Sequence, residues 1–322
     1  MRFVSIPTNG SSWQEPLVYN FETDDAQPAD VLVEIRDIGS NSVLATKHLY
    51  AVVSGEVDIA PYLRSVCDLR VELNAESSVR DAQISRNISV RLNGEESEPR
   101  LFVPRGLDVA KPSILSRFAT DGSILLGDVL AFSLFTPSKV NVIVNIITQA
   151  KRKQLYLQWA GSGRIIDVAI QTKEFDADTQ RIEVNVYSDN VAIKTLSFKV
   201  IDPDARRRQL LWRNTWGALE SYIFPQSIPL AQTVSAETLR LNSRDVVTLA
   251  DAHIYSRLCS AFESQKEIVR ISEILLSPYI YEVVEGELRE VELDSRKIEY
   301  DEHGNLRRLA LDIVEEWKGG GL

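Results

Sequence analysis

Apolar and polar residues alternate with a period of two along much of the first two hundred residues. The clearest runs cover residues 31–36, 88–92, 140–146 and 182–186. Successive side chains of a β-strand point to opposite faces of the sheet, so a strand with one buried face requires this period. Turn-forming residues separate the runs at 39–41, 161–163 and 188–190, as is typical of antiparallel neighbours. The pattern predicts a mainly β protein.

Three segments follow from the spacing of these runs and from the length of 322 residues, which is long for one core. Residues 1–105 are predicted to form an antiparallel β-sandwich of immunoglobulin-like size, and residues 106–205 a second one. The stretch 202–208 contains Pro203 and three consecutive arginines, which marks the boundary. Residues 206–322 are predicted to form a mixed α+β region.

One amphipathic helix is predicted in this last region, over residues 264–276. Its apolar residues at Ile268, Ile271, Ile274 and Leu275 share one face. Ser264 and Glu267 have the spacing of a capping box, and Ser277-Pro278 ends the helix. Strands are predicted at 279–284, 288–293 and 306–313, with a further strand at 243–249. The helix is expected to pack on the sheet that these strands form.

Charge argues against a nucleic-acid partner. The chain has 36 Lys and Arg against 46 Asp and Glu, a formal net charge of −10, so phosphate backbones and anionic membranes would repel it. The two compact basic patches are the triplets 206–208 and 151–153, which are typical of solvated strand ends. Only two cysteines are present, and no stretch has the length of a signal peptide or of a membrane helix. Synthesis in a cytoplasm is therefore predicted, with no membrane insertion.

No residues of a known catalytic motif occur. The three histidines, His48, His253 and His303, have no metal-ligand partner at short spacing, and no phosphate-binding or nucleophile motif is present. The chain is therefore predicted to be no enzyme and to bind no cofactor or metal.

Residues 210–224 contain four large aromatic side chains and a glycine within two runs that are typical of strands. Leu211, Trp212, Tyr222 and Phe224 are expected to fill the seam between two β-layers. Gly217 is expected to provide a turn or a close approach of two backbones, which a side chain would obstruct. This motif consists of Trp212, Asn214, Trp216, Gly217, Glu220, Tyr222 and Phe224.

The spacing of these residues, W-x-N-x-x-G-x-x-E-x-Y-x-F, resembles a pattern in tail-associated structural proteins of phages and prophages of Bacteroides-type bacteria. Two further elements are similar to the same proteins: residues 57–63 within an immunoglobulin-like or fibronectin-like domain, and residues 271–281 around Ser277, Pro278 and Tyr281. The chain departs from the pattern at Arg213 and Ala218, where an apolar residue and a second glycine are expected.

The resemblance implies a structural virion protein of the phage tail, tail tip or baseplate. It implies assembly with copies of itself in a symmetric particle and with other tail proteins, and it brings no catalytic residues. A chain of β-sandwiches without a catalytic motif is consistent with a subunit that acts through its surfaces.

Two alternatives stay open. In the first, the chain is a carbohydrate-binding or receptor-binding adhesin, in which Trp159 and Tyr156, or Trp212 and Trp216, stack on a host surface glycan. In the second, it is a glycoside hydrolase built on β-sandwiches, which requires two carboxylates facing each other in an aromatic cleft.

Overall fold

The computed structural model describes residues 1–24, 27–117, 121–161, 163–201, 207–241 and 244–317. The chain is mainly β, as predicted. Residues 202–206 of the predicted boundary stretch 202–208 lie outside the described residues.

The strands in chain order are β1 (Arg2–Ser5), β2 (Val18–Glu22), β3 (Ala29–Asp37), β4 (Ser42–Val52), β5 (Ser54–Asp58), β6 (Ser78–Asp81), β7 (Arg86–Leu92), β8 (Glu95–Glu96), β9 (Arg100–Phe102), β10 (Ser113–Ile114), β11 (Asp121–Ile124), β12 (Val129–Thr136), β13 (Val140–Thr148), β14 (Arg152–Trp159), β15 (Arg164–Gln171), β16 (Thr179–Ser188), β17 (Val191–Val200), β18 (Arg208–Arg213), β19 (Leu219–Phe224), β20 (Gln226–Leu241), β21 (Arg244–Cys259), β22 (Ile280–Val284), β23 (Glu287–Leu293), β24 (Glu299–His303) and β25 (Leu306–Trp317). The α-helices are α1 (Ala60–Val66) and α2 (Gln265–Ser272). Two short 3-10 helices lie at Thr172–Glu174 and Glu273–Leu276.

The N-terminal unit consists of two antiparallel sheets around one apolar core. One sheet has the order β1-β2-β5, and the other has the order β4-β3-β7-β8, with β9 also on β7. Val31, Val33 and Ile35 are at most 1% exposed and lie in the core with Tyr19 and Phe21 from the facing sheet. The alternation in residues 31–36 therefore marks a half-buried strand, as predicted.

The middle unit also has two sheets on a common core. They have the orders β10-β12-β15-β6 and β11-β17-β16-β13-β14. Phe132 and Ile166 of the first sheet lie in one apolar cluster with Val142 and Val184 of the second. β6 comes from residues 78–81 and pairs with β15, so one strand from the predicted first segment completes a sheet of the second. The division at residues 105 and 106 stays a prediction.

The C-terminal unit is one sheet with the order β19-β18-β22-β23-β25-β21-β20, and β24 pairs with β25. The predicted helix is present as α2 and the 3-10 turn that follows it. The Ser264 side chain accepts a hydrogen bond from the Glu267 backbone N–H, which caps the helix. Ile268, Ile271 and Ile274 are buried against the sheet.

β20 and β21 form a hairpin of two 16-residue strands, where the sequence predicted a single strand at 243–249. β21 pairs with β25 only from Ala252 to Cys259. The outer part of the hairpin, residues 234–241 and 244–251, pairs only with itself among the described residues. We call this outer part the β-arm. Eight residues at about 3.3 Å each extend it roughly 26 Å beyond the sheet.

Candidate functional site

The motif of residues 212–224 forms the tight hairpin β18–β19, and Asn214 holds its turn. The Asn214 side-chain oxygen accepts hydrogen bonds from the backbone N–H groups of Trp216 (2.8 Å) and Ala218 (3.0 Å). The Gly217 N–H donates to the Asn214 carbonyl at 2.9 Å. An asparagine side chain mimics a backbone turn in this way, which explains the asparagine two residues after Trp212.

Gly217 forms the turn, as expected, and its close contacts are with side chains and not with a second backbone. Its φ is +74°, in the left-handed region that favours glycine. A Cβ atom there would lie 2.7 Å from Ile84 Cδ1 and 2.7 Å from Pro104 Cγ. The turn therefore touches the N-terminal part of the chain at a distance that excludes a side chain.

The hairpin is buried on both faces. Trp212 and Phe224 are fully buried in the cluster that contains Ile268 and Ile271 of α2. On the opposite face, Leu211 and Leu219 belong to a cluster with Val129 and Ala131 of β12 and Ala169 of β15. Of the residues expected in a seam between two β-layers, Trp212, Phe224 and the partly buried Tyr222 instead lie on the α2 side of the sheet. Leu211, together with Leu219, fills the seam between the C-terminal sheet and the middle unit.

Arg213 makes the central polar contacts of this seam. Its guanidinium binds the Asp167 carboxylate of β15 at 2.8 Å and 3.3 Å, and both side chains are 3% exposed. It also donates to the backbone carbonyls of Gly217 (2.8 Å), Leu69 (3.2 Å) and Arg70 (3.4 Å). One side chain therefore connects the motif turn, the middle unit and the segment that leaves α1.

Glu220 forms a second buried centre on the other face of the hairpin. It is fully buried, and it accepts hydrogen bonds from Arg270 of α2 (2.8 Å), the Arg117 N–H (2.7 Å) and the Asn214 side chain (2.8 Å). Burial raises the pKa of the Glu220 carboxyl, and Arg270 opposes that rise. The Glu220 carboxylate therefore connects α2, the motif turn and the middle unit. We call Arg213 and Glu220, together with their buried partners Asp167 and Arg270, the polar junction.

Sequence reasoning missed both charged partners, Asp167 and Arg270. Arg213 stood out only as a departure from the motif, at a position where an apolar residue was expected. An arginine between apolar strand residues is a usable signal, since a charge that is buried must be paired. Its partner is 46 positions away in the chain, so no local pattern identifies it.

The other motif residues also make contacts within the protein. Tyr222 donates to a Glu263 carboxylate oxygen at 2.9 Å and accepts from the Ala261 N–H at 3.0 Å; its pKa is raised by burial. Ser277 is buried and donates to the Tyr279 carbonyl, while Pro278 is exposed. Tyr281 is 7% exposed and accepts from the Val71 N–H at 3.4 Å.

The proposed sugar-stacking residues do not come together. Tyr156 is 59% exposed, whereas Trp159 packs against the apolar core of the middle unit. They are three residues apart on β14, which places them on opposite faces of the strand. Trp212 is fully buried and cannot stack on a ligand. Trp216 is half-buried beneath Arg105, whose guanidinium carbon lies 4.4 Å from the ring centre.

A cavity of about 540 Å³ lies beside the polar junction, between the middle unit and α2. Its lining includes two carboxylates, Glu263 and Glu267, next to Tyr222. Both are engaged by the protein: Glu263 accepts from Tyr222, and Glu267 pairs with Arg270. The arrangement holds α2 in place.

All three basic residues in the triplet 151–153 pair with nearby acids, which weakens any phosphate-binding role. Lys153 and Lys151 contact Asp176 at 2.6 Å and 3.4 Å, and Arg152 contacts Glu183 at 2.9 Å. Arg206 lies outside the described residues. Over the described part of the chain, no group of three or more His, Cys, Asp and Glu side chains is arranged to hold a metal ion. No helix there is long and apolar enough to span a bilayer.

Asp128 provides a pH-dependent test of packing next to the cavity, where its neighbour Val129 is part of the lining. Burial raises the pKa of the Asp128 carboxyl to about 6 from 3.8, although the Leu125 N–H and Arg207 favour its charged form. The folded state therefore binds the proton more tightly than the unfolded chain. The Asp128 carboxyl therefore makes its full contribution to the free energy of unfolding below about pH 4, and that contribution is lost as the pH rises through about 6.

We therefore expect Asp128→Asn to raise the free energy of unfolding at pH 7 by about 1–3 kcal/mol and to change it little at pH 4. Urea denaturation at both pH values measures the difference. Asp108→Asn is the control, because Asp108 is exposed and the Ala110 N–H lowers the pKa of its carboxyl; it should not stabilise the protein at pH 7. A less stable Asp128→Asn at pH 7 would contradict the prediction.

Comparisons with known proteins identify no family. No family model and no curated protein matches the chain. Among solved structures, the Ig1–Ig2 segment of Dpr2, crystallised with DIP-Theta Ig1–Ig3, aligns at 8% identity and a TM-score of 0.18, over 63% of this chain and 99% of that one. CBD12 from CALX1.2 aligns at 10% identity and a TM-score of 0.17, over 58% and 93%. Similarities at these TM-scores carry no argument about fold or function.

Proposed function

We propose that this chain is a structural subunit of a phage particle, in the tail, the tail tip or the baseplate, and that it acts through assembly with other proteins. The observation that carries the proposal is the role of the motif residues. The motif residues Asn214 and Glu220 form one of the two centres of the polar junction, and Trp212 and Phe224 pack under α2. The other centre is formed by Arg213, where the chain departs from the pattern. Contacts within the protein engage the side chain or the backbone of each of these motif residues: Trp212, Asn214, Gly217, Glu220 and Phe224.

The polar junction supports an architectural role on physical grounds. Arg213 and Glu220 each contact several separate elements of the chain while nearly excluded from water. Charge-assisted hydrogen bonds of this kind have narrow geometry, so they favour one arrangement of the elements that they join. A subunit that must present several surfaces at fixed positions to its neighbours benefits from such a junction.

We also assign an immunoglobulin-like architecture to the N-terminal and middle units within this proposal. Each unit has about 100 residues in two sheets that enclose one core, with mostly antiparallel pairing. Units of this type offer edge strands and end loops to neighbours in an assembly. Long edge strands such as β4, with 11 residues, are available for such contacts.

Locating the chain in particles is the direct test. Antibodies raised against the purified chain, coupled to gold, would be applied to particles from cells or phage that encode it and imaged by negative stain. Labelling confined to the tail or its tip is the expected result. Particles that contain no copy of the chain by mass spectrometry would overturn the proposal.

The adhesin is the second candidate, and exposure of Tyr156 favours it. The tyrosine lies on the outer face of β14 with Gln154 and Gln158, so an aromatic ring and two amides face solvent together. Such a group suits stacking and hydrogen bonding to a sugar. Binding to a panel of host glycans that Tyr156→Ala removes, and that Tyr50→Ala at another exposed tyrosine leaves intact, would establish it. A panel without any binding would exclude it.

A further inference from the structure

The five-stranded sheet of the middle unit has one face on the core and one face that points outward. Val142 of β13 and Val184 of β16 are fully buried in the core cluster. Side chains of a strand alternate between the two faces of a sheet, so the sequence neighbours of these valines point away from the core. We call residues 141, 143, 145 and 147, together with the residues directly opposite them on β14 and β16, the outer face.

Two rows of the outer face carry no charged side chain. Each row runs across β14, β13 and β16, contains one tyrosine and at least one amide, and is exposed or half-buried throughout. The rows, in that strand order, are Gln158, Asn141, Tyr187 and Tyr156, Ile143, Asn185. This part of the surface therefore presents aromatic rings and amides to solvent.

The amides in these rows have hydrogen-bonding groups to spare. The side chains of Gln158 and Asn141 form no hydrogen bond with any other described residue. The Asn185 side-chain oxygen accepts from the Thr195 hydroxyl at 2.8 Å, which leaves the Asn185 NH2 group for another partner. An amide has two donors and one acceptor group, and sugar hydroxyls both donate and accept. The rows can therefore bind several hydroxyl groups at once.

Tyr156 is held in place by its own side of the sheet. Its hydroxyl donates to the Gln154 side-chain oxygen, and the Gln154 amide nitrogen donates to the Asn145 side-chain oxygen at 2.8 Å. The ring nevertheless remains 59% exposed. A ring that is already positioned loses little conformational entropy when a ligand stacks on it. Tyr156 is therefore a prepared stacking surface.

The spacing of the two tyrosines indicates an extended ligand. Tyr156 lies opposite Ile143, and Tyr187 lies opposite Asn141, so the tyrosines are two strands apart and offset by two residues. Strand spacing and rise per residue place their Cα atoms about 12 Å apart. Two rings at that separation contact different units of one chain molecule and not one sugar ring.

Charge favours a neutral ligand. The charged residues of the outer face lie at one end, where Arg152 and Arg181 share the Glu183 carboxylate at 2.9 Å and 3.5 Å. The two uncharged rows lie beyond this group. The whole chain carries a formal charge of −10, so it repels acidic polymers. Neutral sugar units meet no such repulsion.

We propose that the outer face binds an extended, uncharged polysaccharide that crosses β14, β13 and β16 diagonally. Tyr156 and Tyr187 stack on two of its sugar units, and the amides of Gln158, Asn141 and Asn185 bind hydroxyl groups beside them. This inference names the ligand class of the adhesin candidate, on which it rests, and extends its site from β14 to β16. It does not depend on the place of the chain in a particle.

Calorimetric titration of the full chain tests the ligand class. The probes are three neutral polymers, xylan, mannan and β-1,3-glucan, with alginate as the acidic reference. For the neutral polymer that binds, oligosaccharides of increasing length follow. We expect affinity to rise with length until the ligand reaches both tyrosines, and alginate to bind more weakly. Tighter binding of alginate, or affinity that is independent of length, would overturn the inference.

Variants test the extent of the site. Tyr156→Ala and Tyr187→Ala should each weaken binding of the longer oligosaccharides about tenfold. Asn185→Ala should also weaken it, and it provides the same test on β16 if Tyr187→Ala does not fold. Tyr50→Ala is the control, because Tyr50 is 74% exposed on the N-terminal unit, and it should bind as the parent does.

The two ways in which the inference can fail are distinguishable. Binding that Tyr156→Ala removes, and that the two variants on β16 leave intact, would overturn the extended site and leave the adhesin candidate in place. Binding to none of the polymers would overturn the inference. A host glycan panel without any binding would remove the adhesin candidate as well, and neither result would affect the proposed role in a phage particle.

Discussion

Arg213→Met should lower the free energy of unfolding by about 3–5 kcal/mol, since removing one partner of a buried ion pair leaves the other charge unpaired. Asp167 would keep a carboxylate that is 3% exposed, with only the Ser133 hydroxyl as a described donor. The carbonyls of Gly217, Leu69 and Arg70 would lose their guanidinium donor at the same time. Methionine fills similar space, so the loss reflects charge and hydrogen bonding more than a cavity.

Thermal unfolding and urea denaturation both measure this change, and the expected fall in Tm is roughly 5–15 °C. Arg2→Met is the matched control. Arg2 also pairs with a carboxylate, Glu22 at 2.9 Å, but its side chain is 76% exposed. Exposed pairs contribute about 0–1 kcal/mol, so this variant should resemble the parent. If both variants lost a similar free energy of unfolding, the buried contacts of Arg213 would contribute no more to stability than an exposed ion pair does.

The double variant Arg213→Met, Asp167→Leu separates the cost of leaving the Asp167 charge unpaired from the cost of losing the hydrogen bonds that Arg213 donates to three carbonyls. It leaves no unpaired charge, so it should be more stable than Arg213→Met alone. It does not restore donors for the three carbonyls, so it should remain less stable than the parent. A double variant as unstable as the single one would place the whole effect in the lost carbonyl contacts.

The local pattern of the sequence was enough to predict individual strands and the helix. Alternation at Val31, Val33 and Ile35 marks one buried face, and those residues are buried. The turn at Glu285 and Gly286 was also predictable, because a two-residue hairpin of this kind needs positive φ; the values are +52° and +81°. Both features depend on residues close together in the chain.

Pairings between distant segments were not predictable in this way. β6 has only four residues, and its partner β15 lies more than 80 positions later in the chain. Its residues are typical of several kinds of edge or loop, so nothing local selects β15. The polar junction has the same character, since Arg213 meets Asp167 and Glu220 meets Arg270 only when three parts of the chain have packed together.

Whether each aromatic ring is accessible to a ligand depends on its burial in the folded protein. Trp212 and Tyr156 are equally plausible sugar platforms in a single sequence, because each is a large aromatic in a strand. The structure covers Trp212 with α2 and leaves Tyr156 in solvent. Exposure of a strand residue depends on what packs against its face, and the sequence around Trp212 contains no sign of the helix that begins 53 positions later.

Gly217→Ala should destabilise the protein by about 2–5 kcal/mol through two separable effects. A non-glycine residue at φ of +74° costs roughly 1–2 kcal/mol. The added Cβ would also lie 2.7 Å from both Ile84 Cδ1 and Pro104 Cγ. Proline is stiff, so the turn must move, and overpacking of this kind costs about 1–3 kcal/mol more.

Gly304→Ala isolates the first effect. Gly304 has φ of +62°, and a Cβ there would meet nothing within 4 Å. Urea denaturation should therefore show that Gly304→Ala lowers the free energy of unfolding by about 1–2 kcal/mol, from the backbone conformation alone. The difference between the two variants measures how tightly the motif turn is pressed against the N-terminal part of the chain. Equal losses would mean that Ile84 and Pro104 yield freely, and that the turn does not fix the position of the N-terminal unit. A larger loss at Gly217 would show that the motif joins that unit to the rest of the protein by direct packing.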